Sequence, residues 1–195
     1  MTQCVVEGRP LRRRRRRRLL LPVGDDGSGS GDDRQARTEW ASVASFGELA
    51  LRLIALGAPT HLVEACHRAA LEEISHARTA DELAGRSRTR FGAIPGLLGR
   101  RIGGWARSRR KQLARIAVES YLDGWVNESA AADVLRRRAE CSASDGERTA
   151  LDAMASDEEG HARLAKDIVM WCYEQDPKTV GRALGRVVTV AHLAA

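Results

Sequence analysis

Two Glu-x-x-His pairs, Glu73-Ile74-Ser75-His76 and Glu158-Glu159-Gly160-His161, lie on separate amphipathic stretches of this chain. Both fall on the apolar stripe that a helix there must bury. A buried carboxylate and a buried imidazole are costly unless something neutralises or coordinates them. One such pair alone is usually a surface feature, and a buried Glu can also be held by an Arg. Two pairs on facing helices, joined by one Glu from each of two further helices, supply the ligands of a di-metal carboxylate site.

The sequence predicts an all-α fold. Aromatics are only 4% of the 195 residues, and alanine and leucine dominate. Strand-like runs of Val, Ile, Thr and aromatics are missing. Four long helical segments are expected, at roughly 33–56, 60–84, 110–139 and 144–175. Gly57-Ala58-Pro59 ends the first, Thr60 is placed as the N-cap of the second, and Ser144 with Glu147 forms a capping box for the fourth. Asp176-Pro177 starts a short fifth helix carrying Val180, Leu184, Val187 and Ala191 on one side.

Three regions follow: a disordered Arg-rich and Gly/Ser-rich tail over 1–37, a helical body over 38–175, and a C-terminal helix over 176–195. Short turns make helices one and two, and three and four, antiparallel hairpins. Residues 85–109, rich in Gly and Arg, form a long crossover between them.

The net charge of +6 describes the tail and connector more than the body. Ten Arg against five acids fall in 1–37, and nine basic residues with no acid in 86–111. Arg12–Arg18 and the connector make weak, salt-labile nucleic-acid contact a possibility, since neutralised phosphates release counterions. Cys66 and Cys172 sit on apolar faces and read as reduced core residues, which suits a cytoplasmic protein. No apolar stretch reaches membrane-spanning length, so no membrane partner is expected.

At about 100° per residue the stripes can be drawn. On helix two, Leu62, Cys66, Ala69, Ala70, Ala77, Ala80 and Ala84 flank Glu73 and His76, with His67 and Glu72 off centre. On helix four, Leu151, Met154, Ala155, Ala162, Ala165, Val169 and Cys172 flank Glu158 and His161, with Glu159 on the opposite flank. Helix one carries Val43, Phe46, Leu49, Ala50, Leu53 and Ile54. Glu39 is in line with them, and Glu48 points to solvent. Helix three carries Ala114, Val118, Tyr121, Trp125, Ala132 and Ala139, which selects Glu128 and excludes Glu119. Tyr121 and Trp125 are read as core, with a redox or hydrogen-bonding role beside the metals as the alternative. Asp157, beside a ligand, is placed to orient a histidine.

Spacing in the hairpins agrees. Glu39 precedes Glu73 by 34 residues and Glu128 precedes Glu158 by 30, so each Glu stands level with its partner pair. Glu119, 39 residues before Glu158, is too high. The candidate ligands are Glu39, Glu73, His76, Glu128, Glu158 and His161. Carboxylates with one imidazole per metal and no thiolate suit two iron ions, or manganese, rather than structural zinc.

With these residues in place, the segment 38–175 resembles the ferritin-like superfamily. Glu39-Trp40-Ala41-Ser42-Val43-Ala44-Ser45-Phe46, with Leu56-Gly57-Ala58-Pro59, is similar to a stretch in bacterial ferritin-like proteins. The resemblance implies a four-helix bundle of two antiparallel hairpins with a long crossover. It implies the same six ligands, with Glu73 and Glu158 bridging and Glu39 and Glu128 terminal. It also implies an oxidoreductase in which a small-molecule oxidant, dioxygen or peroxide, oxidises iron or an organic substrate. A hydroxylase acting on nucleic acid and a non-catalytic metal-binding or interaction bundle are the alternatives.

Overall fold

The computed structural model describes residues 31–94, 97 and 108–193. Among the described residues there are helices and no strands. Helix α1 is Gly31–Leu56 and α2 is Thr60–Leu83. Helix α3 is one continuous rod of three segments: Arg109–Glu119, a wide π-helical stretch Ser120–Val126, and Asn127–Cys141. Helix α4 is Asp145–Gln175 and α5 is Pro177–Leu193.

Glycine closes α1 and α2 in the same manner. Gly57 and Gly85 both take a φ of 71°, where a side chain would be strained. Gly57 N–H donates to Ile54 C=O and Ala58 N–H to Leu53 C=O, each at 3.0 Å. Gly85 and Arg86 repeat this pair of bonds onto Glu82 and Asp81. The three-residue turn at 57–59 folds α2 back along α1. A second tight turn does the same for α3 and α4, where Glu147 N–H donates to Ser144 Oγ at 3.3 Å. Helix α2 also packs on α4, and α5 lies against the start of α3 and against α4.

The largest apolar cluster joins Phe46, Leu49 and Leu53 of α1, Leu62 and Cys66 of α2, Leu113 and Ile116 of α3, Leu164 and Ile168 of α4, and Val180 of α5. Beyond the Glu-x-x-His level lie two smaller clusters. One is Leu135, Ala139, Leu151, Met154 and Ala155, with Leu83 against it. The other is Ala36, Ala77, Ala80 and Phe91, with Trp40 against it. The Glu and His residues therefore occupy a polar layer between apolar ones.

Several expectations need correction. The tail was placed at 1–37, but residues 31–37 are helical and Ala36 is fully buried. Residues 1–30, with Arg12–Arg18, lie outside the described residues, as do 95–96 and 98–107 of the connector. Pro59 takes the N-cap position of α2, and Thr60 is already helical. Ile54 is exposed and Glu48 is half-buried.

The largest correction concerns α3. Tyr121 is only half-buried and Trp125 is exposed, packed edge-on against Tyr121 with Lys166 over its ring. The residues buried there are Leu113, Ile116, Ala117, Ser120 and Gly124. The stripe had been drawn one residue out. The buried positions run Ser120, Gly124, Glu128 and then Ala131 and Ala132 together, two successive steps of four where an α-helix alternates threes and fours. The wide turn at 120–126 absorbs the extra residue.

Candidate metal centre

Glu73, Glu158 and His161 each offer a ligand atom within 4.8 Å of the others, and all three are buried. That group could hold a metal ion. His76 borders it, with Nδ1 3.3 Å from Glu158 Oε1 and 3.8 Å from Glu73 Oε2. The two imidazole rings stand 5.8 Å apart, and Phe46 from the main core packs 5.0 Å from His161. Glu39 and Glu128 are buried as well. Neither joins the close group of three, but both act on Glu73 through their charge.

The two histidines are held alike. His161 turns Nδ1 inward, 3.2 Å from Glu158 Oε2 and 3.5 Å from Glu73 Oε1. Its Nε2 meets Glu72 Oε2 at 2.9 Å. His76 also turns Nδ1 inward, and its Nε2 meets Asp157 Oδ2 at 3.1 Å. Glu72 immediately precedes Glu73, and Asp157 immediately precedes Glu158. Each helix thus grips the other helix's imidazole from outside the cluster. Such contacts fix ring orientation and leave one nitrogen to face a metal.

Asp157 had been placed in this role from sequence; Glu72 had not. Its signal was the repeated acid-Glu-x-x-His pattern, an acidic residue before each inner Glu.

The excluded acids have other occupations. Glu119 pairs with Arg115 at 2.6 Å and with Arg52, which hold its carboxyl below the usual range against the cost of burial. Glu159 pairs with Arg136 at 3.0 Å on the surface. Arg86 and Arg88, two of the nine basic residues of 86–111, bind the buried Asp81 at 2.9 and 2.8 Å.

Too many carboxylates share this buried space for all to ionise. Burial and the neighbouring Glu158 push Glu39 up to about 7. Burial, with Glu158, Glu39 and Glu128 around it, pushes Glu73 far above the carboxylate range. Glu158 goes the other way. Burial opposes its charge, but the imidazoles of His161 and His76 beside it bring it down to about 2. Burial likewise opposes the charge on His76, yet Glu158, Glu39 and Asp157 raise it to about 9. His161 also rises, with Glu158 and Glu72 outweighing its burial.

The metal-free cluster is thus an ion-paired core with protons on surplus carboxyls. Glu39 Oε2, both carboxylate oxygens of Glu73 and His76 Nδ1 are buried without a well-formed hydrogen bond. Buried polar atoms of a native protein are rarely left so. A set of hard oxygen donors with imidazole nitrogens, unsatisfied and facing one another, fits a carboxylate-preferring divalent metal.

Comparison with protein-family models, curated proteins and solved structures gave no match. Among the described residues no helix is long and apolar enough to cross a membrane.

Proposed function

We propose that this chain is a ferritin-like four-helix protein of two antiparallel hairpins, whose polar layer binds two metal ions, iron in the first instance and manganese as the substitute. The observation that carries this reading is the pair of inward-facing Nδ1 atoms set on buried carboxylates. Each imidazole is steadied from outside by an acid of the facing helix. A purely structural ion pair would not require that duplication.

Glu73 and Glu158, at the centre of the layer, would hold the metals together with Glu39, Glu128 and one nitrogen each of His76 and His161. Two ferrous ions held this way would supply the electrons and open positions needed to reduce dioxygen or peroxide. The protein's own part begins with protons. Glu39, Glu73 and the two imidazoles carry them in the metal-free state, so metal uptake must expel protons and strengthen as pH rises. Glu72 and Asp157 then hold the imidazoles in the ligating orientation. Phe46, buried beside His161, shields that side of the layer from solvent.

The reaction class is oxidation of iron itself or of a small organic substrate. Of the three free cysteines among the described residues, Cys141 is exposed while Cys66 and Cys172 are buried, and burial raises the Cys172 thiol to about 12. The two buried thiols suit a reducing cytoplasm. The reading of a nucleic-acid hydroxylase loses two cations to Asp81, while Arg12–Arg18 lies outside the described residues.

Oxygen consumption tests the activity. The ferrous-loaded protein, exposed to air, should take up oxygen faster than free ferrous ion at the same concentration, and Glu158→Ala should abolish the difference. Equal rates for loaded protein and free iron would leave only the non-catalytic metal-binding bundle.

A further inference from the structure

One to two turns beyond the ligand layer the packing is lopsided. On the α3–α4 side the helices fill the interior themselves, with Leu135, Leu151 and Met154. On the α1–α2 side the inward positions are small. Ala36 lies three residues before Glu39, Ala77 four after Glu73, and Ala80 four after His76, one turn from a ligand in each case. Because α2 folds back along α1, all three alanines lie at the same end of the layer. Three alanines cannot fill the gap that Glu and His span one turn below.

Phe91 fills it. This residue belongs to no helix, yet it is only 6% exposed and clusters with the three alanines. Its ring stands 5.5 Å from that of Trp40, the neighbour of Glu39. The segment that delivers it is tied at one point. Asp81, buried in the last turn of α2, accepts from Arg86 Nε at 2.9 Å, Arg88 N–H at 2.7 Å and Arg88 Nε at 2.8 Å. The Arg88 guanidinium also lies over the Phe91 ring, 5.7 Å from its centroid. An acid in the helix thus anchors a strap whose aromatic side chain closes the layer above the ligands.

We infer that residues 86–94 form the gate of the metal centre, with Phe91 as plug and Asp81 as latch, and that the side chain at position 91 sets the size of molecule that reaches the metals. With Phe91 seated, oxidant-sized molecules pass and aromatic ones do not. With it removed or unlatched, a planar aromatic ligand of about one ring's width enters beside Glu39 and His76. This rests on the reading of the layer as a metal centre.

Metal stripping by a planar aromatic chelator is the test. The full chain is loaded anaerobically with ferrous iron, and the rate of removal by 2,2′-bipyridine is followed by absorbance. Phe91→Ala should keep the wild-type metal content and lose it at least tenfold faster. Asp81→Asn and Arg88→Gln, which leave the plug intact, should accelerate stripping severalfold, and Leu83→Ala, at the same end but on the other cluster, should not. If Phe91→Ala does not fold, the two latch variants carry the test. Unchanged stripping in folded, fully loaded plug and latch variants overturns the gate alone. A wild-type chain that takes up no metal overturns the centre itself, and the gate with it.

Discussion

Glu39 and Glu158 are both carboxylates of one buried layer, and their environments drive them in opposite directions. Glu39, at about 7, keeps a proton that the unfolded chain releases near 4.5. Its contribution is fully present below pH 4.5 and is lost as pH rises through 7, on the order of 3 kcal/mol. His76, raised to about 9, adds stability below 6.5 that is lost as pH rises through 9. Glu158, lowered to about 2, adds stability above 4.5 that is lost as pH falls through 2. The metal-free protein should therefore be most stable near pH 5, and Glu39→Gln should flatten the decline between 4.5 and 7. Thermal melting of the metal-free chain against pH checks this; a melting temperature that climbs from pH 5 to 8 would contradict it. A second expectation concerns the outer grips. Asp157→Asn and Glu72→Gln should each weaken metal binding about 10- to 100-fold while leaving helicity unchanged, measured by competition with a chelator of known affinity. Asp157 was read from its place beside Glu158, and Glu72 holds the matching place beside Glu73 but was left off the stripe's centre. Its side chain lies about 100° round the helix from Glu73, and only the facing helix shows what it reaches.

The helices themselves were largely legible, because apolar spacing, glycine stops and the Ser144 cap are local signals. Most positions drawn on α2 and α4 are buried, but Ala70 and Ala84 are only half-buried, and the buried Asp81, Leu164, Ile168 and Trp171 lie outside the drawn stripes. Helix α3 defeated the same method. A periodicity of 3.6 extended backwards from Ala132 reaches Trp125 and Tyr121, but the wide turn at 120–126 shifts the buried face to Gly124 and Ser120. No local residue pattern announces that turn; Gly124 is compatible with either helix. Glu128 was still picked out because it lies on the regular side of the shift. Deleting Leu122 should restore plain α periodicity, with Glu128 still facing the layer and metal content retained. Inserting an alanine after Leu122 should instead turn Glu128 by roughly 100° and lower metal content. Elemental analysis of the two variants, with circular dichroism to confirm helicity, distinguishes them. Equal metal in both would mean the wide turn has no part in placing Glu128.

At the scale of the molecule, the polar layer is held between the main core and two smaller clusters, one of them completed by Phe91 from outside the helices. Sequence periodicity cannot foresee a non-helical plug, although it starts the first helix near 33 where composition alone carries the tail to 37. Removing residues 1–30 should leave helicity and the metal site intact. Removing 1–37 should lower the melting temperature, because it takes away Ala36 and the Gln35 side chain that bridges to Arg138 and contacts Glu39. The central claim is that four carboxylates and two imidazoles in this layer are ligands. Anaerobic titration with ferrous iron, monitored by elemental analysis after removal of free metal, tests it most directly. About two ions per chain are expected from the six-ligand set, with Glu73→Ala losing them and Glu119→Ala keeping them. Saturation well below one ion per chain, or an equal loss from Glu119→Ala, would contradict the account.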